Sequence, residues 1–278
     1  MVKETLACFV ILLVASCTEG RRHKDVVTFE GNFDSSRRVG ILVSDADLQE
    51  SSKDNRVDEL FDDFLYSYVH DKDLQHQRTI FPLCENFTDG TQRCIEKEQW
   101  TEEFKFMKGE YSTNFYTSEQ EKVINENTSL GIASLERIDL DNKNIIIYNF
   151  VRNEHKWQLS AIQHKNFAES DMGGFLNFYH DFVYDTKFQF RSLARSIRVS
   201  MMDPDDDSQN IDGFITRNQW AGLSGGLPQG IITNIRYGQH FSDAKTILLE
   251  KVSMGDGMSE TFTFSLTGQG WKLIGYDN

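Results

Sequence analysis

The sequence predicts an α+β protein in which one helix-and-sheet unit occurs twice. Three observations carry this. Residues 60–75, LFDDFLYSYVHDKDLQ, return as residues 174–189, GFLNFYHDFVYDTKFQ. Phe61, Phe64, Val69, Asp71 and Gln75 recur as Phe175, Phe178, Val183, Asp185 and Gln189, at a constant offset of 114 (175 − 61). In both copies the apolar residues first follow a helical period and then, downstream, the alternation of strands.

The first residues set the compartment. Residues 1–16 read as an export signal, with Lys3 ahead of the apolar run LACFVILLVA at 6–15. That run is far shorter than the ~20 residues a membrane-spanning helix needs. Val14-Ala15-Ser16-Cys17 resembles the lipobox of bacterial lipoproteins. The resemblance implies cleavage before Cys17 and diacylglyceryl attachment to its thiol, a stable membrane anchor. Residues 17–56 have the polar, mixed-charge composition of a tether, broken by an apolar patch at 39–43. Basic residues Arg21, Arg22 and Lys24 follow the anchor, which favours a periplasm-facing place on the outer membrane.

The first repeat is read as 57–169. Asn55 is the expected N-cap of its long helix, with Asp58 and Glu59 in the first turn. Leu60, Phe61, Phe64, Leu65, Tyr68 and Val69 form one wide stripe, which suits a helix laid on a sheet. Strands are expected near 79–83, 110–116, 130–140, 144–152 and 156–163, with Pro82 marking an edge or a strand end. Cys84 and Cys94 flank the turn-rich ENFTDGTQR. In an oxidising compartment they are expected to form a disulfide, contributing roughly 2–3 kcal/mol.

The second repeat is read as 170–278. Ser170 or Asp171 caps its helix, and Phe175, Phe178, Tyr179, Phe182 and Val183 rebuild the stripe, which 193–202 is expected to continue. Gln99-Trp100 reappears as Gln219-Trp220 at an offset of 120 (220 − 100), so six residues enter between, where the acidic segment 203–213 lies. Residues 248–252 echo 134–138 at 114 again. Strands are expected at 260–266 and 270–276, and Phe150/Trp157 and Phe264/Trp271 share the pattern F-x₆-W-x-L.

FLYSYVHDKDLQHQR with IFPL, the two Gln-Trp pairs, DPDDD, NIRYG at 234–238 and the terminal WKL carry a wider likeness. Over 57–278 the chain resembles the nuclear-transport-factor-two-like (cystatin-like) superfamily, and more narrowly a Bacteroidetes family of lipoproteins of unknown function. The resemblance implies two tandem cone-shaped domains, each a long N-terminal helix on a curved antiparallel sheet. It implies a cell-envelope location and supplies no activity.

Chemistry is sparse. A net charge of −14 argues against nucleic-acid binding, which needs clustered cations. Asp203, Asp205 and Asp207 have the spacing that opens a calcium loop. The required Gly and Glu are replaced by Ser208 and Phe214, so the segment reads as a solvated acidic turn. The histidines are scattered, and no serine-nucleophile motif, catalytic set or cofactor motif stands out. Trp100, Trp220 and Tyr237 are the candidates to line a ligand-binding cone. The expected role is a membrane-anchored module binding a small molecule, a glycan or a protein. An isomerase, dehydratase or hydrolase is the alternative, and a homodimerising module is the third.

Overall fold

The computed structural model describes residues 58–101, 104–203, 206–221 and 226–278, all within one compact unit spanning 44–278. The export signal, Cys17, the tether, Asn55 and Asp205 lie outside the described residues.

Helix α1 (Phe61–His70) buries Phe61, Phe64, Leu65, Tyr68 and Val69, the stripe read from the sequence. It is shorter than expected. Asp71 leaves the helical conformation, and its carboxylate accepts from the backbone N–H of Asp73 and Leu74, capping α2 (Lys72–Gln77). The second half repeats the joint: α3 (Gly173–Tyr184), then Asp185 accepting from Lys187 and Phe188 N–H, then α4 (Thr186–Ser192). The recurring glutamines close it. Gln75 Nε2 donates to Val69 O and Gln189 Nε2 to Phe182 O, satisfying carbonyls at the ends of α1 and α3. The expected long helix is therefore two short ones, broken at the residue the repeat retains.

The first half then supplies β1 (Thr79–Asn86), β2 (Gln92–Ile95), β3 (Tyr111–Tyr116), β4 (Ile132–Asp139), β5 (Asn144–Asn153) and β6 (Lys156–Asn166). The second supplies β7 (Leu193–Asp203), β8 (Asp206–Thr216), a turn of helix α5 (Arg217–Trp220), β9 (Ile231–Arg236), β10 (Thr246–Ser253), β11 (Ser259–Thr267) and β12 (Gly270–Asp277). Two curved, open sheets result. One runs β2-β1-β6-β5-β4-β9 and the other β8-β7-β12-β11-β10-β3. The orders match strand for strand, except that each half lends one strand to the other's sheet: β9 extends β4, and β3 extends β10.

The lent strands meet where they cross. Thr113 and Thr233 exchange four hydrogen bonds, each using its hydroxyl and its backbone, at 2.6–2.9 Å. Asn114 Oδ1 accepts from Ile235 N–H, and Asn234 Oδ1 from Phe115 N–H, both at 3.0 Å. Side chains here stand in for ladder partners, so buried backbone groups stay satisfied without a third sheet.

Each sheet holds its helix through aromatic contacts. Phe61 meets Phe150 and Trp157 edge-on at 5.3 and 5.0 Å. Phe175 meets Phe264 and Trp271 at 5.3 and 5.1 Å, so the repeated phenylalanines occupy matching settings. The opposite face of the first sheet, through Ile138, Ile145, Ile147 and Ile232, joins the core built around α3.

Two expectations are corrected, and a third is refined. Residues 193–202 are strand, not helix: Ile197 and Val199 alternate inward between β12 and β8, and sheet pairing overrides the helical spacing. The acidic segment is mostly strand β8, with Asp203 opposite Asp206 in a tight hairpin. Pro82 lies inside β1 rather than at its end, but β2 pairs only from Leu83 on, so β1 is an open edge there. Pro82 also falls where the register with β6 shifts between Thr79 and Cys84, a place without a ladder donor to lose.

Candidate functional site

Both cores are filled by aromatic and aliphatic side chains, so open space lies outside them. A cleft of about 860 Å³ opens on the helix-bearing side of the first sheet. Its floor is β1 and β2, with Glu85, Arg93, Cys94 and Ile95. One wall is the irregular segment that carries Gln99, Trp100, Thr101, Lys105 and Phe106, and the other is Arg137 of β4 with Ile231 of the lent strand β9.

The sequence builds this cleft locally. The Cys84–Cys94 disulfide joins facing residues of β1 and β2. Asp89 accepts from Thr91 and orders the turn between them. A capping box between Glu96 and Gln99 starts the single 3₁₀ turn (Lys97–Gln99) that delivers Trp100. Phe104 takes a left-handed conformation (φ 42°) and turns the chain back toward the sheet.

Among the described residues, Arg93, Lys105, Arg137 and Glu85 are the charged side chains that line the cleft. Arg93 is engaged by Glu85, through Nε at 3.2 Å and a terminal nitrogen at 2.5 Å. Arg137 is held differently. Its guanidinium lies 5.8 Å over the Phe106 ring. Its nearest carboxylate, Asp139, is 3.9 Å away, and that carboxylate already accepts twice from Asn142. The Arg137 guanidinium thus makes an ion pair but no hydrogen bond to the described residues, although the side chain is only 22% exposed.

Trp100 lines this cleft but is itself only 5% exposed, with an edge contact to Phe81. Trp220 sits in the second core against Phe262 and Tyr276. Tyr237 crosses into the first core, edge-on to Phe61, with its hydroxyl donating to Asp62. Burial, followed by the Asp62 charge, raises the Tyr237 hydroxyl far above its ordinary value. The three candidates are therefore not brought together. Phe106 and Arg137, which meet at the cleft, were not singled out in the sequence. Each is one unremarkable residue in a separate segment.

A second hollow of about 370 Å³, on the other face of the first sheet, gathers several titratable groups. There Arg236 pairs with Glu136 at 2.8 Å and Asp171 at 2.7 Å. Asn234 donates to Glu136, and Phe241 N–H donates to Asp171. Burial alone would raise the Asp171 carboxyl, but its bonds to Arg236 and Phe241 N–H outweigh it and hold the group below its ordinary value. These groups pair with one another and tie the start of α3 to β9. Among the described residues, no set of three or more His, Cys, Asp or Glu side chains could hold a metal.

No curated protein matches the chain. A crystal structure of an NTF2-like protein from Bacteroides fragilis matches with 30% identity and a TM-score of 0.72, covering 80% of this chain and 96% of that one. Residues 42–278 match a domain of unknown function, DUF4348. The chain, with its paired curved sheets and crossing strands, therefore belongs to the DUF4348 family and has an NTF2-like fold.

Proposed function

We propose that this protein is a ligand-binding module of the cell envelope, anchored through a lipid on Cys17. The cleft between Trp100 and Arg137 is its binding site. The observation that carries the reading is the contrast between two packed cores and a roomy cleft in which the Arg137 guanidinium has no hydrogen-bond partner among the described residues. A binding role fits better than acid–base catalysis. Besides cations, the described residues of the cleft offer one ionisable group, Glu85, and Arg93 already occupies it. The anchor is supported by the apolar leader and the small residues before Cys17.

Native mass spectrometry of the soluble form, purified from its own envelope, tests the binding role. A retained small molecule, lost from a Phe106→Ala variant, is the expected result. An empty, unchanged spectrum from both forms counts against it. Cys17→Ser should release the full-length chain from membranes, and continued attachment would refute the anchor.

A further inference from the structure

The hollow on the other face of the first sheet is separate from the cleft, and the cleft's role does not bear on it. We infer that this hollow is a second binding site, and that its ligand is a neutral sugar held by Ser134, Asn149, Gln163 and Lys165.

The pleat builds the floor. Alternation along β4, β5 and β6 brings Ser134 with Glu136, Ile147 with Asn149, and Gln163 with Lys165 to this face. Ser134 lies opposite Asn149, and Ile147 opposite Gln163, on strands about 4.8 Å apart. Ser134, Asn149, Gln163 and Lys165 are half-buried, yet none of these side chains hydrogen-bonds to the described residues. A hydroxyl, two amides and an ammonium therefore present unused donors and acceptors side by side.

The charged groups do not favour an ion. Lys165 and Arg236 stand against Glu136, Glu169 and Asp171, with His240 at the rim, so positive charge is not in excess. Each carboxylate is already engaged. Glu136 accepts from Asn234, Glu169 from Asn166 N–H, and Asp171 from Arg236 and Phe241 N–H, which leaves none waiting for a cation. Among the described lining residues only Ile147 is apolar, too little for a hydrophobic ligand but enough for the C–H face of one ring. A neutral molecule with hydroxyls in several directions fits, and 370 Å³ is the size of a small-ligand pocket.

The second sheet supplies the control. At the offset of 114, Glu136 and Ile147 correspond to Glu250 and Thr261. There the chain covers its own sheet. Lys122, from the 3₁₀ segment Glu119–Glu126, donates to Thr261 at 3.1 Å and pairs with Glu250 at 3.8 Å. On the first sheet Arg236 reaches Glu136 from the neighbouring strand β9, and the space over Ile147 is the hollow. The opening is thus a difference between the copies and not a consequence of their shared frame.

Saturation-transfer NMR and isothermal titration of the full-length, unlipidated chain test this. The neutral probes are glucose, galactose, mannose, N-acetylglucosamine, lactose and maltose; glucuronate and glucosamine are their charged counterparts. At least one neutral sugar should bind, with neither charged probe tighter. Asn149→Ala and Gln163→Ala should each weaken that binding about tenfold, with thermal midpoints near wild type. Lys165→Gln, near the end of β6, should weaken it as well. Phe106→Ala, in the cleft, should bind the sugar as wild type. Tighter binding of glucuronate that Lys165→Gln abolishes would overturn the neutral assignment. Sugar binding lost in Phe106→Ala but kept in Asn149→Ala and Gln163→Ala would place the sugar in the cleft. That result overturns the second site and leaves the cleft's binding role standing. Silence from every probe overturns the sugar site, whatever the native spectrum shows for the cleft.

Discussion

The two halves share one frame but fill it with different chemistry. In the first, buried Asp58 pairs with Arg78 through two hydrogen bonds, at 3.1 and 2.9 Å, and accepts from Trp157 N–H. At the offset of 114 the second half has buried Met172 and Ser192. In the first, Tyr68 donates to Thr79, which donates to Gln75 O. In the second, Phe182 and Leu193 take those places, both buried. Cys84–Cys94 across β1 and β2 corresponds to Arg198 opposite Phe214 across β7 and β8. The lesson is that sheet order and the Phe-Phe-Trp contacts hold the frame, and that polar pairs are one of two workable fillings. An ion pair of this kind resists halving more than replacement.

The largest effect should come from halving that pair. Arg78→Ala strands Asp58 in the core and should cost about 3–5 kcal/mol. The double change Asp58→Met with Arg78→Ser copies the second half and should cost less than the single. Urea unfolding of both variants measures this, and a double variant weaker than Arg78→Ala would break the comparison.

A smaller effect separates the two crossing asparagines. Asn234 is fully buried, and its loss strands Phe115 N–H and one partner of Glu136. Asn234→Ala should cost about 1–3 kcal/mol. Asn114 serves Ile235 N–H in a more open setting, so Asn114→Ala should cost less. Equal losses would mean that the crossing is energetically symmetric despite its unequal burial.

The smallest concerns pH. Asp171 has a depressed folded-state value, so its contribution is present above the ordinary carboxylate range, near 3.9, and fades as pH falls through the lower folded value. The urea midpoint should therefore drop on acidification, and Asp171→Asn should flatten part of that drop.

Much of the frame was legible. Phe61, Phe64 and Tyr68 in α1, and Phe175, Tyr179 and Phe182 in α3, spaced three or four residues apart, announce a helix on a sheet because burial needs one continuous apolar face. The six-residue surplus before Trp220 is the longer β7–β8 hairpin, and it is lost again between β9 and β10. The strand exchange left a faint trace in the paired Thr-Asn dipeptides at 113–114 and 233–234. That trace is unreadable alone, because a strand carries no mark of which sheet it will join. The cleft was half visible: Trp100 was flagged, but Arg137 and Phe106 become a site only when β4 and the wall segment come together.

The sequence by itself determined the local elements: stripes, helix joints at Asp71 and Asp185, the disulfide and the order of strands. These depend on residues near one another in the chain, whose spacing sets what each segment can bury. Only the tertiary structure decided that β3 and β9 change places, that one core is tied with ions and the other with hydrocarbon, and that Arg137 faces open space. Those outcomes depend on contacts between residues about a hundred positions apart, where many pairings satisfy the same pattern and only the packed whole selects one.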